Sequence, residues 1–207
     1  MHYIIIGAQA SGKGTQADML AKEAGIIHIS TGELLRQEVA TGNALGKRLK
    51  EHLDRGELVP NDLVFKMLQR AIDHAKGGFI LDGFPRTVEQ AKFLDVATHI
   101  DKVIVLEIND KTAIARISGR RECAKGHNYN LLTNPPKKAS VCDIDGLPLK
   151  QRSDDTPVAI KKRLDTYHQE TEPVIAHYKD KVININGEPP IQDVHFAILK
   201  ALHHKKQ

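Results

Sequence analysis

The sequence predicts an α/β fold in which a five-stranded, parallel, doubly wound sheet is flanked by helices. Three observations support this prediction. Short apolar runs alternate with longer segments of helical periodicity along the 207 residues. Most of these runs are almost continuously apolar, which is typical of strands that are covered on both faces. A glycine-rich loop separates the first run from the first helix, as in proteins that bind phosphate groups.

The first strand and the loop after it form the most informative segment. The strand is predicted at residues 3–6, and the loop at 7–15 reads Gly-Ala-Gln-Ala-Ser-Gly-Lys-Gly-Thr. Its glycines leave room for backbone N–H groups to surround an anion, and the following helix N-terminus adds donors. Lys13 offers a mobile charge for outer phosphates, and Thr15 a hydroxyl near the expected Mg²⁺ position. Because Gly14 stands where Ser or Thr is usual, a glycine-rich turn without a ligand is the alternative.

Capping residues mark the boundaries of the helices that follow. Ser30 is expected to cap one helix, with Glu33 completing a capping box. Asn61 and Asp110 are expected to cap two others, and Pro157 stands in the first turn of another. The further strands are expected at 26–29, 78–81, 102–108 and 182–185, and the last helix at 190–204.

Composition and charge narrow the class of protein. With 207 residues, 41% of them hydrophobic, the chain can form one core domain with inserts. The net charge of +4 arises from 30 basic and 26 acidic residues that are interspersed, so nucleic acid is not an expected partner. No apolar run approaches the roughly 18 residues of a membrane span, and the first strand begins too early for a signal peptide. We therefore expect a cytoplasmic, monomeric enzyme with no membrane partner.

The segment at 122–151 lacks helical periodicity and carries a candidate metal site. Cys123 and His127 are four residues apart, and Cys142 and Asp145 are three apart. Two ligand pairs on two turns, separated by about fifteen residues, are typical of structural zinc sites. A hydrogen-bonded network without metal is one alternative. A disulfide between the two cysteines is another, although a reducing cytosol disfavours it.

Several segments resemble one protein family and occur in the same order along the chain. They are Gly12-Lys13-Gly14-Thr15-Gln16, Ile29–Arg36, Asp82-Gly83-Phe84-Pro85-Arg86, Arg116–Arg121, Asn134–Lys137 and Gln151–Asp155, with Arg163 on the helix beyond. On these residues the chain resembles the adenylate kinases, in their long-lid form, over essentially its whole length. The predicted parts are a P-loop core at 1–29, 60–119 and 155–207, a helical AMP-binding insert at 30–59 and a lid at 120–154.

The arginines in these segments suit phosphate chemistry. Seven of the chain's ten arginines lie there, and six of them are candidate phosphate ligands, namely Arg36, Arg86, Arg116, Arg120, Arg152 and Arg163. A guanidinium group is a planar fork of donors that fits two phosphate oxygens at once. A ring of them around a P-loop would offset the repulsion between two nucleotides and hold donor and acceptor in line. For any single arginine, a solvated surface charge is the alternative.

By this resemblance, ATP would bind to the P-loop and to the entrance of the lid. The β- and γ-phosphates would be held by Lys13 and by the backbone of Ala10, Ser11, Gly12, Gly14 and Thr15. Arg116 would stack near the adenine of ATP, and Asp82 would hold waters of bound Mg²⁺. Arg120, Arg152 and Arg163 would close over the transferring phosphoryl group. The alternative for Asp82 is a turn residue before Gly83.

The resemblance also implies an AMP site. Its phosphate would be bound by Arg36 and Arg86, together with Arg152 and Arg163. Thr31 would contact the base region, Gln90 would recognise the adenine edge, and Gly83 would let AMP approach the backbone. The segment Glu57-Leu58-Val59 would line the adenine pocket mainly through its backbone. The alternatives are a capping role for Thr31 and, for Gln90, a capping box with Thr87.

The chain departs from the family pattern in two places. Gln9 and Ala10 stand where Pro and Gly are usual in the P-loop, and a positive φ at Ala10 would cost about 1 kcal/mol. In the lid, Cys142 to Gly146 resembles the zinc-binding version of the family, whereas Cys123 and His127 replace its usual Cys-x-x-Cys pair. A structural Zn²⁺ would stabilise a lid that has few apolar residues.

The predicted reaction is the reversible transfer of the terminal phosphoryl group of Mg-ATP to AMP, giving two ADP by direct in-line transfer. The expected partners are ATP, AMP and ADP. A kinase for CMP, UMP or GMP is the alternative within this class. From another class, the alternative is a P-loop binding module whose zinc-ribbon-like insert contacts another macromolecule. The insert has one aromatic residue, Tyr129, and its arginines cluster at its ends, which favours the enzyme.

Overall fold

The computed structural model describes residues 1–152 and 155–203. Its strands are β1 (His2–Gly7), β2 (Ile27–Ser30), β3 (Phe79–Asp82), β4 (Lys102–Glu107), β5 (Arg120–Glu122), β6 (Asn128–Asn130) and β7 (Val182–Asn186). Its α-helices are α1 (Lys13–Ala24), α2 (Thr31–Ala40), α3 (Ala44–Asp54), α4 (Asn61–His74), α5 (Val88–Ala97), α6 (Asp110–Gly119), α7 (Pro157–Thr166), α8 (Glu172–His177) and α9 (Ile191–His203). A π-helical turn, Tyr167–Thr171, joins α7 to α8, and a 3₁₀ turn, Lys179–Lys181, precedes β7.

The central sheet has five parallel strands in the order β2-β3-β1-β4-β7, which confirms the predicted fold class. Ile4 of β1 pairs with Leu81 on one side and Val103 on the other. Because β1 lies in the middle of the sheet, the loop that follows it opens at the centre of the sheet's carboxyl edge. This edge is where α/β proteins place their ligands.

Alternate side chains of β1 supply two separate cores, which explains why the strand is apolar throughout. Ile4 belongs to the cluster that includes Leu68 of α4. Ile5 belongs to the opposite cluster, with Leu20 of α1 and Ile198 of α9. Helices therefore cover both faces of the sheet and hold the loop after β1 in place.

Two predicted caps are wrong by one residue, and one is confirmed. Asn61 is the first residue of α4 and follows Pro60, whose ring has no side-chain group to cap the helix. Asn109, rather than Asp110, caps α6, because its side chain accepts a hydrogen bond from the backbone N–H of Thr112 at 2.8 Å. Ser30 caps α2 as predicted and accepts from the backbone N–H of Glu33 at 3.4 Å.

Two segments project from the sheet. Helices α2 and α3 lie between β2 and α4 and pack against each other. The described residues from 120 to 152 form no helix; β5 and β6 make an antiparallel hairpin, and Glu122 also bridges to Lys150. The predicted boundary between lid and core at 154 and the predicted core end at 204–207 fall outside the described residues. The assignment of these parts as insert, lid and core remains a prediction.

Candidate active site

A cleft of about 1190 Å³ opens at the carboxyl edge of the sheet, between the two projecting segments. The P-loop forms its floor, and its walls include α2, the segment at 56–59, the β5-β6 region and the loop at 187–192. Every nucleotide-site residue predicted from the sequence lies in the lining of this cleft. The tertiary structure thus brings together residues that the sequence spreads from position 10 to position 163.

The P-loop presents donors and a buried cation to the cleft. Gly12 has φ of 100° and stands before α1, so the N-terminus of that helix faces the cleft without a side-chain cap. The Nζ of Lys13 donates to the backbone oxygens of Gly7 at 2.8 Å and Ala8 at 2.7 Å. Burial lowers the pKa of Lys13 to about 8, and Asp82 acts against that shift. The buried Oγ of Ser11 has no hydrogen-bond partner among the described residues, which suits a phosphate-binding loop.

Ala10 adopts the conformation that the sequence analysis identified as costly. Its φ is 59°, in the left-handed region that favours glycine. Ala10 therefore carries backbone strain that a glycine at this position would not have. The backbone N–H groups of its neighbours are still part of the P-loop.

Asp82 lies at the end of β3, where the sequence placed it, and has a partner that sequence reasoning missed. The Nε2 of His28 is 3.7 Å from Asp82, and the Nδ1 of His28 is 2.6 Å from Asp18. Burial acts to raise the pKa of Asp82, but His28, Lys13 and Arg86 together lower it. Burial acts to lower the pKa of His28, and the two aspartates raise it to about 9. The signal in the sequence that could have identified His28 is that it is a polar residue within an otherwise apolar strand.

Two carboxylates hold the arginines of the cleft, and the sequence analysis assigned a role to neither. Asp155 has a completely buried side chain and accepts from Nε of Arg120 at 2.9 Å and Nη1 of Arg163 at 3.3 Å. Glu122 accepts from Arg152, and its second oxygen is 3.9 Å from Nε of Arg36. These pairs join residues up to 86 positions apart, which no local pattern indicates.

Arg86 is fixed by its backbone and through its side chain. Its Nε donates to the backbone oxygen of Gly83 at 2.8 Å. Its backbone oxygen accepts from Oγ1 of Thr171 in the π-helical turn at 3.0 Å, and its backbone N–H donates to Oε1 of Gln90 at 2.7 Å. Burial lowers the pKa of the Arg86 guanidinium, and Asp82 acts against this shift. These hydrogen bonds fix the orientation of the Arg86 guanidinium.

Gln90 is buried, and part of its hydrogen-bonding capacity is already used. Its Nε2 donates to Oδ1 of Asn61 at 2.8 Å, and its Oε1 accepts from Arg86. One amide N–H and one oxygen lone pair remain for a ligand. Thr87 caps α5 through the backbone N–H of Gln90 at 3.2 Å, but the Gln90 side chain reaches the N–H of Arg86, so the alternative role in a capping box is only half realised.

The remaining predicted residues line opposite ends of the cleft. Thr31 is buried, and its hydroxyl has no hydrogen-bond partner within the described part of the chain; the cap is Ser30, so the alternative role for Thr31 is wrong. Arg116 donates to the backbone oxygens of Gly187 at 2.9 Å and Glu188 at 3.1 Å. Gly83 has φ of 79°, and a Cβ there would approach a guanidinium nitrogen of Arg86 to 3.2 Å. Residues 57–59 lie in the wall beside α3.

The four predicted metal ligands converge in the β5-β6 region. The ligand atoms of Cys123, His127, Cys142 and Asp145 all lie within 4.8 Å of one another. Nδ1 of His127 is 3.4 Å from each sulfur and 3.0 Å from Oδ2 of Asp145. A tetrahedral zinc ion separates its ligand atoms by about 3.3–3.8 Å, so these four atoms lie near enough together to share one such ion. Both cysteines are free thiols, and burial raises the pKa of Cys123.

The five-stranded parallel sheet and the glycine-rich loop after β1 define the fold class of the P-loop α/β proteins. A family model described as adenylate kinase matches residues 5–183. An adenylate kinase of Caldicellulosiruptor saccharolyticus is 44% identical to the chain, covering 98% of it and 99% of the relative. Those of Methanocella arvoryzae and Staphylococcus epidermidis are 43% and 40% identical, covering 94% and 99% of the chain and 94% and 100% of the relatives.

The chain therefore belongs to the adenylate kinase family and is a phosphotransferase. Members of this family use Mg-ATP, and their substrates are ATP, AMP and ADP. Among the described residues, no helix has both the length and the hydropathy needed to cross a membrane.

Proposed function

We propose that the cleft residues carry out the family reaction in the roles that the sequence analysis assigned to them. The observation that carries this proposal is the convergence of Lys13 and of Arg36, Arg86, Arg120, Arg152 and Arg163 on one cleft above the P-loop. Such a concentration of cationic side chains suits ligands that carry several negative charges. Two nucleotides that meet end to end supply that negative charge.

On the ATP side, the P-loop backbone from Ala10 to Thr15 and the Nζ of Lys13 hold the β- and γ-phosphates. Lys13 leaves its two backbone acceptors for the phosphates, and the orphaned hydroxyl of Ser11 gains a partner. Arg116 is held by the loop at 187–188 and stacks near adenine. Asp82 and Thr15 are the residues that would hold Mg²⁺ and its waters. When bound, that ion offsets phosphate charge.

On the AMP side, Arg36 and Arg86 bind the phosphate, and Thr31 contacts the base region. Gln90 uses its remaining amide N–H and oxygen lone pair for the adenine edge. Gly83 leaves space for AMP beside Arg86. Residues 57–59 line the adenine pocket mainly through their backbone.

Transfer follows from position and charge, because the protein supplies no covalent intermediate. The phosphate of AMP, held by Arg86 on its rigid support, faces the γ-phosphate on the P-loop. Arg120, Arg152 and Arg163 stabilise the charge that spreads over the transferring group, with Lys13 on its far side. An oxygen of AMP forms the new P–O bond as the bond to ADP breaks, so two ADP leave.

We also propose that the lid at 120–154 holds a structural Zn²⁺ through Cys123, His127, Cys142 and Asp145. The lid core otherwise contains only two large buried side chains among its described residues, Tyr129 and Leu149. Tyr129 lies 3.6 Å from the sulfur of Cys142 and supports that ligand from behind. The core, the insert at 30–59 and the lid together form the proposed enzyme. We propose that it is monomeric and cytoplasmic, without nucleic-acid or membrane partners.

A coupled assay with Mg-ATP and each of AMP, CMP, UMP and GMP tests the proposed function. AMP should have the highest kcat/KM, because a site built around hydrogen bonds to adenine rejects a base that leaves them unpaired. Lys13→Met, which removes the P-loop charge, is the inactive control. If CMP or UMP reacts as efficiently as AMP, the assigned role of Gln90 is wrong.

A further inference from the structure

Glu122 lies at the junction of the two segments that project over the cleft. It is the last residue of β5, and its side chain is 15% exposed. One carboxylate oxygen accepts from Nε of Arg152, which is also in the lid region, and the other is 3.9 Å from Nε of Arg36 on α2. The carboxylate therefore stands between an arginine of each segment.

The surroundings of these two arginines make Glu122 important for their charge balance. Arg152 also donates to the neutral Oδ1 of Asn128 at 2.9 Å. Burial, followed by repulsion from Arg120 and Arg36, lowers the pKa of Arg152 to about 10. Glu122 is the carboxylate that the described residues place against Arg152, whereas Asp155 serves Arg120 and Arg163.

A second contact shows that the two segments approach each other here. Gly126, in the turn after β5, has φ of 87°, and a Cβ on it would meet Oε1 of Glu33 on α2 at 2.8 Å. A side chain at position 126 would therefore collide with α2. The Glu122 carboxylate lies between Arg36 and Arg152 because α2 and the β5-β6 region meet at this point.

We propose that Glu122 is a positioning residue that bridges Arg152 and Arg36 in the nucleotide-free enzyme and competes with the AMP phosphate for both. The inference rests on the proposed roles of these two arginines. A carboxylate and a phosphate both accept from the N–H donors at the edge of a guanidinium, so Glu122 competes with AMP for the Nε side of each arginine. Glu122 thereby lowers the affinity for AMP, and it pairs with two half-buried cations until the substrate arrives.

The replacement Glu122→Gln tests this competition because it keeps the shape of the side chain and removes its charge. We expect the KM for AMP and the dissociation constant of AMP, measured by calorimetry on the full chain, to fall about three- to tenfold. The KM for ATP should change less than about twofold, because the P-loop is untouched. A purely structural role for Glu122 would not lower one KM selectively.

Three comparisons make the result decisive. Glu51→Gln changes the same charge on the exposed face of α3 and should leave the KM for AMP unchanged. Asn128→Ala removes a neutral contact of Arg152 and should not lower the KM. Glu122→Asp keeps the charge with a shorter reach and should give an intermediate KM, which also covers the case that Glu122→Gln fails to fold.

An unchanged or raised KM for AMP in Glu122→Asp, and in Glu122→Gln where it folds, overturns the inference. That result leaves the proposed function intact if the wild-type enzyme phosphorylates AMP in the same assay. A wild-type enzyme that does not phosphorylate AMP refutes the proposed function instead.

Discussion

Replacing Asp155 by asparagine should destabilise the protein by about 2–3 kcal/mol. The change keeps the shape of the side chain and removes its charge. Asp155 has a side chain with 0% exposure and accepts hydrogen bonds from both Arg120 and Arg163. The new amide N–H₂ would face guanidinium donors, so Arg120 and Arg163 would both lose the negative charge of Asp155.

The magnitude follows from how deeply the three side chains are buried. Breaking a fully buried ion pair by removing one partner costs about 3–5 kcal/mol. Arg120 is 16% exposed and Arg163 is 12% exposed, so both can turn partly towards the water of the cleft, which places the cost at or below the lower end. For a chain of this size, each kcal/mol lowers Tm by about 2–4 °C, so a decrease of roughly 4–12 °C is expected.

Thermal unfolding with and without ADP measures the effect. ADP phosphates offer new partners to Arg120 and Arg163, so saturating ADP should raise the Tm of Asp155→Asn by more than it raises that of the wild type. Asp165→Asn makes the same chemical change on the exposed face of α7 and should shift Tm by less than about 2 °C. A Tm of Asp155→Asn equal to that of the control would refute the argument from buried charge.

Three further predictions concern the phosphate site, the metal and the P-loop. Arg86→Lys should lower kcat/KM at least about tenfold, with a Tm change below about 3 °C, because lysine keeps the charge and loses the fork. Purified protein should carry about one equivalent of zinc; chelation or Cys142→Ser should split one melting transition into two and weaken ATP binding. Ala10→Gly should remove about 1 kcal/mol of left-handed strain, partly offset by chain entropy, so its stability should rise by at most about 1 kcal/mol.

Each of these three predictions would be contradicted by a specific measurement. Normal kinetics in Arg86→Lys would show that its fork does not meet the AMP phosphate. Metal-free protein that melts in one transition, with full activity and no response to a chelator, would rule out structural zinc and favour a hydrogen-bonded network. Urea unfolding that shows Ala10→Gly to be less stable than the wild type by more than about 1 kcal/mol would mean that the Cβ packing of Ala10 outweighs its strain.

Local patterns in the sequence determined the fold class and indicated which residues line the cleft. The apolar runs indicated buried parallel strands, because strands covered on both faces need apolar residues at every position. The order of glycines around Lys13 indicated a phosphate loop, since its geometry depends on a few adjacent residues. The same locality applies at Ala10, where the absence of the usual glycine raised the question of a positive φ, and the structure has one.

Only the tertiary structure decided the strand order and the partners of the arginines. The caps differ from the prediction by one residue: at α6 both Asn109 and Asp110 satisfied the capping pattern, and α4 begins after Pro60, which makes no side-chain cap bond. Asp155 and Glu122 face their arginines across 35 and 30 positions of chain, and Arg36 lies 86 positions from Glu122. Charge pairing depends on which surfaces packing brings together, and a sequence records the charges but not that packing.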